Sequence, residues 1–207
     1  MKGVFVTGTD TGVGKTLVSA WLAQKWRADY WKPVQTGTLD DDDSTTVGRL
    51  APDARIHPPA YRFKAPLSPH EAARREGARI DLSALIPPPV GGPLVVEGAG
   101  GVMVPLNELA LTVDFIERLK LPALVVARSA LGTINHTLLT LDLLRRRRIP
   151  ILGVVMNGQK NPGNRQAIEQ FGGVPVLAEL QPLPAATARI VAGLPDPAFQ
   201  LLDPSAS

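Results

Sequence analysis

Apolar positions along the chain alternate between two periodicities. Gly3-Val4-Phe5-Val6-Thr7 is a short run of apolar and β-branched residues, and Leu17 to Ala23 carries apolar residues at helical density. The first predicts a buried strand and the second a helix. Further strands are predicted at Tyr30–Val34, Pro93–Glu97, Leu121–Ala127, Ile149–Asn157 and Val174–Leu177. Helices are predicted at about 15–27, 111–119, 133–147 and 163–171. Strands that are apolar throughout are buried on both faces. The pattern therefore predicts an α/β fold, a mostly parallel sheet with helices on both faces. Such sheets bind ligands beyond the carboxyl ends of their strands. The stretch 44–92 is less regular. Pro58-Pro59 and Pro87-Pro88-Pro89 predict extended connections, and Pro69 to Glu76 predicts a short helix closed by Gly77.

Composition narrows the classes. A chain of 207 residues, 44% of them hydrophobic, is expected to form one domain spanning 1–207, with the tail after about Pro195 loosely held. There is no cysteine, which excludes disulfides and thiolate-bound metals and fits a cytoplasmic protein. No charged-then-apolar leader is evident at the N-terminus, and no apolar run approaches the roughly 18 residues that would span a bilayer. A net charge of +3 on scattered cations argues against nucleic acid as the main partner.

The chemistry concentrates at predicted strand ends. Gly8-Thr9-Asp10-Thr11-Gly12-Val13-Gly14-Lys15-Thr16 lies between the first strand and the first helix. This is the context of a P-loop, in which glycines let backbone N–H groups surround phosphate. Gly12, Val13 and Gly14 belong to the cradle, Lys15 reaches the β/γ-phosphates, and the Thr16 hydroxyl ligates Mg²⁺. The spacing departs from G-x4-G-K-[ST], since five residues separate Gly8 from Gly14.

Lys32 precedes Pro33, where the chain must leave the sheet. It is either a solvated lysine or a second cation at the P-loop mouth, where developing negative charge needs fixed positive charge. In the acidic run Asp40 to Asp43, three members read as solvated loop charges, and Asp43 is placed to cap a helix over Ser44–Leu50. Glu97 ends an apolar strand, where a P-loop protein places its metal-facing carboxylate. Thr16, Asp43 and Glu97 would together suit Mg²⁺. Leu131 to Thr137 opens a helix whose free N–H groups suit an anion, and His136 within it is a packed or capping residue or else a base. The Arg145–Arg148 run at that helix's end is structural. Trp21 and Trp26 are core or interface residues.

In this order the motifs resemble the dethiobiotin synthetases. They are the P-loop, Lys32-Pro33-Val34-Gln35-Thr36-Gly37, an Asp before a helix, Ser68-Pro69-His70, Val96-Glu97-Gly98-Ala99-Gly100-Gly101 and Leu131 to His136. The resemblance runs from Gly3 to about Pro184. It implies a P-loop NTPase fold, ATP and Mg²⁺ as cofactors, a homodimer, and diaminopelargonic acid and CO₂ as substrates. It also implies that Thr11, Lys15, Lys32 and Thr36 line the reacting groups. Thr16, Asp43 and Glu97 would hold Mg²⁺, with Gly98 beside the nucleotide. Asn157 and Gln181-Pro182-Leu183 would meet the base, and Gly132 and Asn135 would bind the substrate carboxylate across the dimer interface. Gly12 stands where some members carry Glu. Two rivals are a partitioning or positioning ATPase, which needs a further P-loop lysine, and a glutamine-dependent amide synthase, which needs a cysteine.

Overall fold

A computed structural model describes residues 2–38, 42–183, 185–197 and 199. Asp40, Asp41, Pro184 and the tail beyond Phe199 lie outside the described residues. The strands are β1 (Gly3–Gly8), β2 (Asp29–Trp31), β3 (Val34–Gln35), β4 (Ile56–His57), β5 (Tyr61–Arg62), β6 (Leu94–Gly101), β7 (Ala123–Arg128), β8 (Ile151–Asn157) and β9 (Val176–Leu180). The helices are α1 (Lys15–Trp26), α2 (Asp43–Leu50), α3 (Pro69–Arg75), α4 (Thr112–Leu119), α5 (Thr133–Arg146), α6 (Pro162–Gly172) and α7 (Ala188–Gly193).

Seven strands form one sheet in the order β4-β2-β6-β1-β7-β8-β9, and every pairing in it is parallel. Residue parity divides the core. Val4, Val6, Val95, Leu124 and Val126 pack with residues of α1, α2 and α7. Phe5, Leu94, Val96, Ala123 and Val125 pack with residues of α3, α4, α5 and α6. Successive side chains of a strand point to opposite faces, so continuous apolar strands feed two helical layers, as the sequence predicts.

Four expectations are corrected. The predicted strand Tyr30–Val34 is broken. Pro33 has no N–H to donate, and beyond it β3 leaves the main sheet to pair in parallel with β5. The predicted strand Val174–Leu177 lies later, at Val176–Leu180, which puts Gln181 at its carboxyl end. The predicted strand Pro93–Glu97 runs on through Gly101, so Glu97 lies inside β6 and not at its end. Contacts also anchor α7 and residues beyond it. Val191 is buried, Trp21 Nε1 donates to the carbonyl of Pro195 at 2.9 Å, and Trp26 meets Phe199 edge to face. The Arg145–Arg148 run is structural through specific partners. Arg145 bonds the Gly172 carbonyl, Arg146 pairs with Asp142, and Arg147 pairs with Asp114. No helix among the described residues is long and apolar enough to cross a membrane.

Candidate functional site

The carboxyl ends of β1, β2 and β6 open into a cavity of about 670 Å³ between the starts of α1 and α2. Thr11, Gly12, Gly14, Lys15, Thr16, Lys32, Thr36, Asp43 and Glu97 all line it. The P-loop geometry is local in origin. Gly14 has φ 96°, a left-handed conformation that L side chains resist, and it starts α1 with no side-chain cap. The first N–H groups of α1 therefore remain free for an anion. Lys15 is buried, and its Nζ donates to the Asp10 carbonyl at 3.1 Å. Burial lowers its pKa against the opposing pull of Glu97.

Beside the P-loop lies a compact charged cluster. Strand parity puts Tyr30 and Lys32 on the α1 side, and the pairing Tyr30↔Val95 sets Glu97 level with Lys32. Lys32 is 4% exposed and Glu97 1%. Lys32 Nζ lies 3.1 Å from Glu97 Oε1 and also pairs with Asp43. Thr16 Oγ1 sits between the carboxylates, 2.5 Å from Asp43 Oδ1 and 3.1 Å from Glu97 Oε1. Burial alone would lower the Lys32 pKa, but Glu97 and then Asp43 outweigh it and the net shift is upward. Burial would raise the Asp43 carboxyl, but Lys32 outweighs it and the net shift is downward. Lys32 is thus a buried, charged member of the site and not a solvated lysine.

Asp43 does not cap the helix. It is the first residue of α2, and Asp42 is the cap, accepting from Thr45 N at 3.1 Å. Asp42 also pairs with Arg62 at 2.5 Å. It is therefore not a solvated loop charge, and it frees the Asp43 carboxylate to face the cavity. Gln35 completes the hold. Its Oε1 accepts from Asp43 N at 3.2 Å and its Nε2 reaches Asp43 Oδ2 at 3.4 Å.

Other predicted residues stand apart from the cavity. Val13 is in the core, and its carbonyl accepts from Asn157 Nδ2 at 3.0 Å. Gly98 meets the protein interior, where an added Cβ would lie 2.9 Å from the Phe5 ring. Gln181, Pro182 and Leu183 follow β9 beside Asn157, which pairs with Leu180. Gly132 and Asn135 are exposed at the start of α5, outside the cavity lining. His136 is exposed as well, neither packed nor capping. It borders a groove of about 910 Å³ that shares Thr11, Ser68 and Val104 with the cavity.

Sequence reasoning missed Tyr30, Gln35 and Asp42. For Tyr30 the signal was available, since it lies two residues before Lys32 on a strand. Among the described residues, no group of three or more His, Asp or Glu side chains could hold a metal ion alone. The donor set is one hydroxyl and two carboxylates. It suits Mg²⁺, a hard cation that takes its remaining ligands from phosphate and water.

A fully parallel sheet, a glycine-rich turn into a Lys-Thr helix start, and a carboxylate on β6 facing that threonine define a P-loop NTPase. A family model described as an AAA domain matches residues 2–189. The ATP-dependent dethiobiotin synthetase BioD of Paramagnetospirillum magneticum is 73% identical over 199 residues, covering 96% of this chain and 97% of that protein. The BioD of Rhodopseudomonas palustris strain HaA2 is 50% identical, covering 90% and 89%. The chain belongs to the ATP-dependent dethiobiotin synthetase family. Among solved structures, a ParA family ATPase from Chlorobium tepidum has a TM-score of 0.57 at 11% identity, covering 93% of this chain and 96% of that one. That likeness speaks for the fold alone.

Proposed function

We propose that the protein is an ATP-dependent cyclo-ligase of biotin biosynthesis that makes dethiobiotin from 7,8-diaminopelargonic acid and CO₂. The observation that carries this reading is the convergence of Lys15, Lys32, Thr16, Asp43 and Glu97 on one cavity in a chain of this family. One substrate amine adds to CO₂ and loses a proton, giving a carbamate. A carbamate oxygen attacks the γ-phosphorus of ATP, and ADP leaves. The second amine then attacks the carbonyl of the carbamic-phosphoric anhydride, closing the ring and expelling phosphate.

The residues divide this work by charge and position. Free N–H groups at the start of α1 and the Lys15 ammonium hold the phosphates. Lys32 and Lys15 present fixed positive charge where negative charge grows during transfer. Thr11 and Thr36, both in the cavity lining, orient the reacting groups, and Pro66, Leu67 and Val104 give the substrate chain an apolar surface. Thr16, Asp43 and Glu97 would hold Mg²⁺, which neutralises phosphate charge when bound. Asn157, Gln181, Pro182 and Leu183 are assigned to the nucleotide base side.

Gly132 and Asn135 are assigned to the substrate carboxylate of a second subunit. Leu131 at 101% exposure, with exposed Leu139 and Met103 beside the groove, supports a homodimer that covers this face. The absence of cysteine supports a cytoplasmic location.

The test measures ADP release with and without diaminopelargonate and bicarbonate, and identifies dethiobiotin by mass spectrometry. Release should depend on both substrates. ADP release indifferent to diaminopelargonate would overturn the reading in favour of an ATPase switch.

A further inference from the structure

Tyr30 lies behind the charged cluster, outside every role assigned above. Its ring is 0% exposed within β2, and its hydroxyl donates to Glu97 Oε2 at 3.0 Å. The other oxygen, Oε1, is the one that lies 3.1 Å from both Thr16 Oγ1 and Lys32 Nζ. The two carboxylate oxygens therefore face opposite ways, one into the sheet and one into the site.

Strand geometry produces this division. Tyr30 pairs with Val95 in parallel register, so its ring runs along the same face toward Glu97 two residues on. The last torsion of a glutamate is soft and would by itself leave the carboxylate free to turn. A buried acceptor without a donor is also costly. One hydroxyl removes both problems.

We propose that Tyr30 is a positioning residue that pins Glu97 through Oε2, so that Glu97 offers the bound divalent cation a single oxygen, Oε1. The inference rests on the reading of Glu97 as a Mg²⁺ ligand. A ligand held in one orientation loses less freedom on binding. Hydrogen-bond partners behind metal ligands are worth about 10- to 100-fold in metal affinity. Tyr30→Phe removes one oxygen and keeps the ring that fills the core.

The experiment titrates Mg²⁺ into the ADP-saturated protein by calorimetry, using wild type, Tyr30→Phe, Glu97→Gln and the double variant. ADP affinity in EDTA is measured in parallel. Tyr30→Phe should weaken Mg²⁺ binding about tenfold, leave ADP affinity in EDTA unchanged, and add nothing to Glu97→Gln. A hydroxyl that merely satisfies the core would lower the melting temperature without moving Mg²⁺ affinity, and that result overturns the proposal. An undiminished effect in the Glu97→Gln background overturns it too. Unchanged Mg²⁺ binding in Glu97→Gln itself would instead remove the metal assignment.

A second measurement uses the unaltered core. The chain has two tyrosines, Tyr30 and Tyr61. Tyrosine labelled with carbon-13 at Cζ gives two signals, distinguished by Tyr61→Phe. Adding Mg²⁺ to the ADP complex should shift the Tyr30 signal and leave it unshifted in Glu97→Gln. An unmoved Tyr30 signal in wild type overturns the proposal even if Tyr30→Phe fails to fold.

Discussion

The side-chain amide of Asn157 donates to the main-chain carbonyl of Val13 at 3.0 Å, tying the end of β8 to the P-loop across 144 residues of chain. The contact leaves no room at the next residue, where a Cβ on Gly14 would collide with the same amide. Asn157 therefore supports the P-loop turn from the end of β8. A neutral hydrogen bond contributes about 1 kcal/mol net, so Asn157→Ala should weaken ATP binding about fivefold. Gly14→Ala should be more severe, and it should remain impaired when combined with Asn157→Ala because the positive φ persists. Recovery of ATP affinity in the double variant, measured by calorimetry, would reduce the role of Gly14 to making space.

Lys32→Ala should lower turnover on the order of 100-fold while ATP still binds. Near-normal turnover would remove Lys32 from the chemistry. The same residue sets a pH dependence. The Lys32 pKa is raised on folding, so its contribution is complete below the ordinary lysine range and is lost as pH rises through the folded value. The Asp43 pKa is lowered, so its contribution is complete above the ordinary aspartate range and is lost as pH falls through the folded value. Between about pH 5 and pH 9 the wild-type pair adds no slope. Lys32→Met leaves Asp43 buried without its nearest cation, and the folded form then gains affinity for protons. Its melting temperature should rise as pH falls from 9 to 5, relative to wild type. A flat difference over that range would mean that another cation takes the place of Lys32.

Neighbouring aspartates should separate cleanly. Asp43→Asn should raise the Mg²⁺ concentration needed for half-maximal activity without unfolding the protein. Asp42→Ala removes the cap of α2 and should cost about 1 kcal/mol of stability, with the Mg²⁺ requirement unchanged. Denaturant melts read against Mg²⁺ titrations distinguish the two. Equal Mg²⁺ dependence in both variants would contradict the separate roles of cap and cavity carboxylate.

Asn135 is exposed and absent from the cavity of its own chain, so its proposed role requires a partner subunit. A hydrogen bond to a carboxylate is worth roughly 1.5–3 kcal/mol. Asn135→Ala should weaken diaminopelargonate binding about 10- to 100-fold and spare ATP. Lys15→Ala and Asn135→Asp, each inactive alone, should regain partial activity when their subunits are exchanged, because one mixed site is intact. Mixed dimers that form and stay inactive would place the whole site within one chain.

Much of this was legible along the chain because it is encoded locally. The apolar periodicity of β1, β6, β7 and β8 announces strands buried on both faces. Gly14-Lys15-Thr16 between a strand and a helix carries its own geometry, and Glu97 stands out as the one charged residue closing an apolar run, although β6 itself continues to Gly101. What depended on distant segments was not legible. The four-aspartate run does not say which carboxylate caps α2 and which faces the cavity. That choice is made where Gln35 and Thr16 take hold of Asp43 and Arg62 takes hold of Asp42. Lys32 could be read as solvated or as part of the site until β6 placed Glu97 beside it. The face of Tyr30 followed from its strand, but its partner was fixed only where its hydroxyl met Glu97. Periodicity assigns a residue to a face, because strand and helix repeats are properties of the local backbone. Its partner on that face is set by the order and register of strands far apart in the chain, and only the folded sheet specifies them.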